Sequence, residues 1–236
     1  MDSKNTQYRN ALNGVFVPDH IDLWLLSAAA NRDRRFYFGA SDAPTIMGND
    51  YEAKLRLWRQ KTGKEPAPNL DDNIFVEIGK ATEMTNIYRL IKSLKKKERP
   101  ILLENVLFNR VIQPIPPYNW LRSSPDGIVD DDSKGIFLIE AKHVNERTLN
   151  NNLIDKYYPQ VQHQMLTTNI PNNVFYFNSI QDPIRPMNEA CLCAYIGTQR
   201  WVWFSIKLNL NYMRGLFIKT AEFAWAVYTK TEPPMF

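Results

Sequence analysis

The sequence is poor in cysteine and has no long apolar run. Its two cysteines, Cys191 and Cys193, are too few for a zinc or iron–sulfur site. They alternate within ACLCAYIG, which predicts buried, reduced residues of an apolar strand in an intracellular protein. The apolar runs are far shorter than a bilayer span, and MDSKNTQYRN contains no apolar signal segment. We therefore expect a soluble protein that is not secreted and has no membrane partner.

Internal repeats and low-complexity linkers are also absent. With 236 residues, 44% of them hydrophobic, the chain can bury a large core, and we expect residues 1–236 to form a single domain. The 29 Lys and Arg residues exceed the 25 Asp and Glu residues, which gives a formal charge of +4. This excess is compatible with a polyanionic partner but does not identify one.

What is present is a pattern of alternating helical and strand-like segments. Helical spacing predicts helices over residues 21–31, 52–61, 73–97, 157–168 and 210–230, and Gly63 ends the second of them. Strand-like segments occupy residues 102–112, 121–124, 128–129, 136–144, 173–177, 191–196 and 200–206. This order predicts an α/β fold with a mixed β-sheet flanked by helices.

The most informative stretch is SSPDGIVDDDSKGIFLIEAKH, residues 123–143. Its apolar run reads as a buried strand, yet it leads into Glu140 and Lys142, which share one face because they are two residues apart. Burying either charge without a partner is costly. An ordinary salt bridge on a half-exposed strand is one explanation, and Glu-x-Lys alone is too short to decide.

A hairpin would bring a second carboxylate to this pair. If DDDSKG is the loop, Val129 lies opposite Ile136, and counting back places Asp126 opposite Ile139, next to Glu140. Two adjacent carboxylates repel unless a proton or cation lies between them, and hard oxygen ligands suit Mg²⁺ or Mn²⁺. A neighbouring lysine could orient a water or stabilise negative charge that develops on phosphorus.

Five sequence blocks carry a family resemblance. Pro125-Asp126 followed by Glu140-Ala141-Lys142 is the layout of the PD-(D/E)xK nuclease superfamily. The blocks GASDAPTIMG, GKATE, SPDG, IEAK and YYPQVQ follow one another within residues 34–164. In this order they resemble the phage lambda exonuclease and YqaJ-type viral recombinase family. The resemblance implies a restriction-endonuclease-like core. One departure is His143, where the family commonly has Cys-Pro or Asn-Pro after the lysine; strand alternation points this ring away from the carboxylates.

The resemblance implies specific roles at the hairpin. Asp126 would bridge the metal ions, Glu140 would be a second ligand, and the backbone carbonyl of Ala141 would complete that shell. Lys142 would position the attacking water. The implied cofactor is Mg²⁺, two ions per site, with Mn²⁺ as a substitute.

Two helices would contribute further polar groups. Glu83 matches the family's helix glutamate, which arranges the second metal and its waters, and Gly79 one turn earlier leaves open space in front of it. Gln160 matches the glutamine of the helix behind the site and shares a face with Tyr157 and Gln164. A solvent-facing glutamate and a polar helix surface are the alternatives.

The segment before the second helix suggests an anion site. Ser41 lies where a short helix should begin, so exposed amides there would attract a phosphate. Arg34 precedes it by seven residues, and the resemblance implies that this pair grips the 5′-phosphate of the degraded strand. A plain N-cap with a surface arginine is the alternative, and Arg35 takes the role if the register shifts by one.

The site residues predict a Mg²⁺-dependent deoxyribonuclease, and the resemblance implies a processive 5′-to-3′ exonuclease that acts on double-stranded DNA ends and leaves 3′ single-stranded overhangs for recombination. The resemblance also implies a ring-shaped homotrimer, a single-strand annealing protein as partner, and work in the host cell cytoplasm if a phage encodes the protein, with the nucleus not excluded. An endonuclease or nickase on the same core, or a DNA-binding or assembly protein without turnover, are alternatives. Clustered carboxylates facing a phosphate backbone speak against the non-catalytic reading.

Overall fold

The computed structural model describes residues 15–70, 73–96, 101–131, 135–146, 153–170, 174–177, 180–183, 187 and 189–236. Its α-helices are α1 (Leu23–Arg32), α2 (Ala43–Met47), α3 (Tyr51–Thr62), α4 (Ile74–Lys96), α5 (Leu153–Asn169) and α6 (Leu210–Thr229). Its strands are β1 (Phe38–Gly39), β2 (Val106–Leu107), β3 (Val111–Gln113), β4 (Leu121–Arg122), β5 (Gly127–Asp131), β6 (Gly135–Val144), β7 (Val174–Phe177), β8 (Ile180–Pro183), β9 (Glu189–Ile196) and β10 (Arg200–Lys207). Two 3₁₀ turns span Arg34–Phe36 and Leu103–Asn105.

A five-stranded sheet in the order β10-β9-β6-β5-β2 forms the centre of the fold. Its middle strand β6 pairs antiparallel with β5 and parallel with β9, while the outer pairs are antiparallel. The predicted mixed sheet with flanking helices is therefore confirmed. Because β6 is hydrogen-bonded along both edges, the side chains it carries have a well-defined position.

The two faces of the sheet are covered by different helices. Phe137, Ile139 and Ala141 of β6 pack in an apolar cluster with α4. Leu138 and Val144 point to the other face and pack in a cluster with α5. Strand alternation therefore directs the side chains of Glu140 and Lys142 toward α5.

A second helical layer lies beside the sheet. Its core joins β1 and β4 to α1, α2, α3 and α6, and aromatic rings meet edge to face within it, with centroid separations of 6.3 Å for Phe38–Trp120 and 6.0 Å for Phe38–Phe223. Strand β1 pairs parallel with β4, so that Gly39 lies beside Arg122. This pairing brings the basic segment around Arg34 next to the strand that leads toward Asp126.

The predicted hairpin register was wrong by one residue. Gly127, not Asp126, pairs with Ile139, and Val129 pairs with Phe137. The strands extend into the predicted loop as far as Asp131 and Gly135, which shifts every pair. Asp126 consequently lies just before β5, directly opposite Glu140. Side chains directly opposite each other in a hairpin share a face, so the two carboxylates are on the same side of the sheet. The connection, residues 132–134, lies outside the described residues.

The predicted continuous strand over residues 102–112 was also wrong. This segment forms the Leu103–Asn105 turn, the short strand β2, and the first residues of β3, which belongs to a separate sheet with β7 and β8. Asn109 lies between β2 and β3 with a φ of 55°, a left-handed conformation that asparagine tolerates and that redirects the chain from one sheet to the other.

Other expectations are met. Gly63 ends α3 with a φ of 76°, as predicted for a helix stop. Cys191 and Cys193 are free thiols buried in β9. Within the described part of the chain, no helix is both long and apolar enough to cross a membrane.

Candidate active site

Glu140 lies at the centre of a fully used set of hydrogen bonds. Only 1% of the surface of Glu140 is exposed to solvent. One carboxylate oxygen accepts hydrogen bonds from the amine of Lys142 and from Nε2 of Gln160, and the other accepts from Nε2 of Gln164 at 2.5 Å. A carboxylate this deeply buried is stabilised only by such charge-assisted contacts. Glu140 is therefore not part of an ordinary salt bridge on a half-exposed strand.

Helix α5 supplies the polar face that receives this carboxylate. Gln160 and Gln164 are four residues apart, so their amides stack on the same side of the helix. Tyr157, one turn earlier, places its ring 5.4 Å from the amine of Lys142. The face predicted for these three residues lies against β6, and Gln164 joins the site more directly than the sequence suggested.

Asp126 reaches the same place from the bend before β5. Its Oδ2 accepts a hydrogen bond from the backbone N–H of Ala141 at 2.7 Å. Burial, followed by the negative charge of Glu140, raises the pKa of Asp126 to about 8, although Lys142 and the Ala141 N–H oppose the rise. The carboxylate pair thus lies in a setting that favours an added positive charge, either a proton or a cation.

Lys142 and Glu83 complete the electrostatic group. Burial alone would lower the pKa of the Lys142 amine, but the charges of Glu140 and Asp126 outweigh burial and raise it, so the amine stays protonated. Glu83 extends from α4, where partial burial and the charge of Glu140 raise its pKa. The open space predicted at Gly79 is present, since a Cβ built there meets nothing within 4 Å.

The donor set fits a hard divalent cation. Asp126 and Glu140 offer carboxylate oxygens and Ala141 offers a backbone carbonyl, and burial together with the charge of Glu140 raises the pKa of Asp126. No cluster of three or more His, Cys, Asp or Glu side chains suited to a metal ion occurs among the described residues. Backbone oxygens and water would therefore have to supply the remaining ligands, and Glu83 would act through water.

The predicted phosphate pair, Arg34 and Ser41, lies on either side of β1, on other elements than Asp126 and Glu140. Arg34 is an exposed residue of the first 3₁₀ turn, and Ser41 is exposed just before α2. Helix α2 begins at Ala43 rather than at Ser41, and its N-cap is Asp42. The amides of Asp42 and Ala43, which were expected to be free, already donate to the carbonyls of Gly39 at 3.0 Å and Ala40 at 3.3 Å.

Sequence reasoning missed a second arginine near this segment. Arg122 of β4 lies beside Gly39 and stacks its guanidinium 5.5 Å from the Tyr37 ring centroid. The neighbouring carboxylates already have partners, because Asp33 pairs with Arg35 and Asp42 pairs with Lys61. The ion pairs found among the described residues do not include Arg122. Its position four residues before Asp126 was the signal that could have identified it.

Comparisons with known proteins identify a family model and a fold that this chain resembles. A family model described as YqaJ-like viral recombinase domain matches residues 31–171. The chain is similar to the crystal structure of an alkaline exonuclease, LHK-Exo, from Laribacter hongkongensis, with a TM-score of 0.54 and 15% identity over 87% of this chain and 92% of that one. LHK-Exo in complex with dAMP gives a TM-score of 0.55 and 15% identity over 88% and 92%. At this identity the likeness shows the shared fold, and it confirms the predicted fold class. No curated protein matches the sequence.

Proposed function

This chain belongs to the YqaJ-like viral recombinase domain family, and we propose that it is a Mg²⁺-dependent exonuclease that degrades double-stranded DNA from 5′ to 3′. The predicted enzyme class, a DNA nuclease, is confirmed by the family together with the fold. The direction of degradation, the metal and the use of the product are part of the proposal. The product would be a 3′ single-stranded overhang for recombination by annealing.

The chemistry assigned to the site is hydrolysis of a phosphodiester. When bound, Mg²⁺ stabilises charge on the phosphoryl oxygens and makes a water more acidic. Asp126, Glu140 and the Ala141 carbonyl would hold the metal, at two ions per site with Mn²⁺ as a substitute. The Lys142 amine would orient the attacking water and stabilise charge that develops on phosphorus. Gln160 would keep the Glu140 carboxylate in place, as its hydrogen bond does in the structure.

The polarity would come from the basic surface beside the site. Arg34 and Ser41 would bind the terminal 5′-phosphate, and Arg122, stacked on Tyr37, would hold a phosphate farther along the same strand. Arginine suits this task because its planar guanidinium binds phosphate oxygens in a bidentate manner. A phosphate held here would select which strand reaches Asp126.

The proposal extends to assembly and location on the strength of the family alone. We propose that residues 1–236 form one nuclease domain, that three copies form a ring around the duplex, and that a single-strand annealing protein receives the product strand. The protein would work inside the host cell. Mass photometry of the purified protein tests the trimer, and co-purification with a single-strand annealing protein tests the partner.

A single observation carries the catalytic assignment. Glu140 is 1% exposed, and its oxygens are held by Lys142, Gln160 and Gln164 at the level of Asp126. A fold without turnover would be more stable with apolar residues of similar volume here, because replacing buried ionic groups in that way is often neutral or stabilising. The charges of Asp126, Glu140 and Lys142 are explained if the site binds a cation and a phosphodiester.

The test compares linear and circular duplex DNA in the presence of Mg²⁺. An exonuclease releases mononucleotides from linear DNA labelled at the 5′ end and leaves circles intact. Nicked circles would assign an endonuclease, and binding without any product would assign a non-catalytic DNA-binding protein; either result would overturn the proposal. Early release of a 5′ label, with a 3′ label retained in long fragments, establishes the direction.

A further inference from the structure

Asn86 joins helix α4 to the strand that carries the candidate catalytic residues. Its Nδ2 donates to the backbone carbonyl of Lys142 at 3.1 Å, and its Oδ1 accepts from the indole N–H of Trp201 at 3.0 Å. A carbonyl accepts only and an indole N–H donates only, so these two partners determine which way the amide points. Asn86 is 1% exposed. A buried amide is costly unless it is hydrogen-bonded, and here both ends are used.

A second contact links the same two elements on the other side of Glu83. The hydroxyl of Thr82 lies 3.4 Å from Nδ1 of His143, the residue that departs from the family pattern. Glu83 thus lies between two links, with Thr82 immediately before it and Asn86 one turn after it. Both links end on consecutive residues of β6, Lys142 and His143. Because a helix is rigid over one turn, two such links determine where the Glu83 carboxylate lies relative to Lys142.

Helix α4 makes a comparable hydrogen bond that involves no residue of the candidate active site. The indole N–H of Trp203 donates to the hydroxyl of Ser93 at 3.2 Å, two turns farther along α4. Trp201 and Trp203 are two residues apart in β10, so their side chains lie on the same face of the sheet. The two tryptophans therefore anchor one helix by similar hydrogen bonds, but only the Asn86 anchor continues to the backbone of Lys142.

We propose that Asn86 is a positioning residue: by tying α4 to the Lys142 backbone, it sets the Glu83 carboxylate relative to the Glu140–Lys142 pair. This inference rests on the proposed nuclease function. Asn86 does not contact the substrate in this account, and its effect passes through Glu83. Groups that orient metal-site residues in this way typically contribute about 10-fold to 100-fold in activity or metal affinity.

A mutant cycle distinguishes a positioning role of Asn86 from a contribution to the stability of the fold alone. Asn86→Ala, Glu83→Gln, the double variant and the matched control Ser93→Ala are compared for kcat, KM and thermal unfolding. We expect Asn86→Ala to lower kcat about 10-fold with the DNA KM nearly unchanged. In the Glu83→Gln background the same change should lower kcat less than about 2-fold further, because the group it positions is already lost. Ser93→Ala should lower the unfolding temperature without changing kcat.

Mn²⁺ titration by calorimetry gives a readout that does not need turnover. Asn86→Ala and Glu83→Gln should each weaken Mn²⁺ binding, and the double variant should bind no more weakly than Glu83→Gln. If Asn86→Ala does not fold, Asn86→Leu replaces it in the cycle, because it keeps a side chain of similar volume, adds no charge and loses the Nδ2 donor to the Lys142 carbonyl.

Equal losses from Asn86→Ala in both backgrounds, or an equal loss of kcat in Ser93→Ala, would overturn the inference. A wild-type protein that releases no nucleotides would instead refute the proposed function. In that case the Mn²⁺ cycle still decides the role of Asn86: a non-additive loss supports it, and additive or absent losses reject it.

Discussion

Acid should destabilise the fold through one residue, His163. This side chain is fully buried in α5, and neither ring nitrogen has a hydrogen-bond partner among the described residues. Burial lowers its pKa from 6.5 to about 4; the nearby Asp42 charge opposes this fall and Lys61 adds to it. The unfolded chain therefore takes up a proton as the pH falls through 6.5, whereas the folded protein does so only near pH 4.

The size of the effect follows from these two values. One pKa unit corresponds to about 1.36 kcal/mol, so the full difference between 6.5 and about 4 gives at most about 3 kcal/mol. Between pH 7 and pH 4.5, most of this difference is realised, and His163 should lower the free energy of unfolding by about 2 kcal/mol. The contribution of the neutral ring is fully present above pH 6.5 and is lost as the pH falls toward 4.

Urea unfolding at a series of pH values measures this effect. His163→Leu removes the titrating ring at similar volume and leaves no buried ring nitrogen without a partner, so its stability at pH 7 should equal or exceed that of the wild type. The stability difference between wild type and variant should then grow in favour of the variant by about 2 kcal/mol on going to pH 4.5. His20→Gln is the matched control, because it removes an exposed imidazole instead of a buried one. A pH-independent difference between wild type and His163→Leu would refute the reasoning.

Three further predictions concern the site. Asp126→Asn or Glu140→Gln should abolish cleavage and leave DNA binding in place, because each removes charge from the metal site and none from the DNA-facing surface; more than a few per cent of wild-type rate on end-labelled duplex would contradict the assignment. Lys142→Gln should lower kcat strongly while calorimetry still detects metal binding, since the amine acts on water and developing charge; metal loss equal to that of Asp126→Asn would disprove this role. Arg34→Ala should narrow the preference of the wild type for 5′-phosphorylated over 5′-hydroxyl ends, mainly by slowing the phosphorylated substrate; an unchanged ratio of the two rates would remove Arg34 from the site.

The parts of the fold that were predictable have a strong local period. Helix α4 was predicted over residues 73–97 and is observed as Ile74–Lys96, because apolar residues recur at helical spacing along its whole length. The face of β6 that carries Glu140 and Lys142 followed from the two-residue period of a strand. The family was also predictable, because five short motifs in the correct order are far more specific than any one of them.

Register and turns were less predictable, because they depend on contacts that are distant in sequence. Whether Val129 pairs with Ile136 or Phe137 is decided by where the hairpin turns, and DDDSKG contains several residues that tolerate either place. The start of α2 at Ala43 instead of Ser41 has a local cause, since the Asp42 side chain accepts a hydrogen bond from the Gly39 amide and the turn before the helix is longer than predicted.

Side chains brought in from other elements could not be found by periodicity. Arg122 becomes relevant only through the parallel pairing of β4 with β1, which lies more than eighty residues earlier in the chain. Asn86 read as an unremarkable polar residue of a long helix, and its importance depends on β6 and β10 both reaching it. Such residues are predictable only once the sheet order is known.

The burial of both native thiols has a practical consequence for fluorescent labelling of this protein. Cys191 and Cys193 are completely covered in β9, and burial raises the pKa of Cys193, so little of the reactive thiolate form is present. A maleimide dye should therefore leave the native chain unlabelled. One cysteine introduced at the exposed Thr198, in the turn between β9 and β10, would accept a single fluorophore without any prior removal of native cysteines. Single-molecule fluorescence could then follow the labelled protein on DNA without signal from its native cysteines.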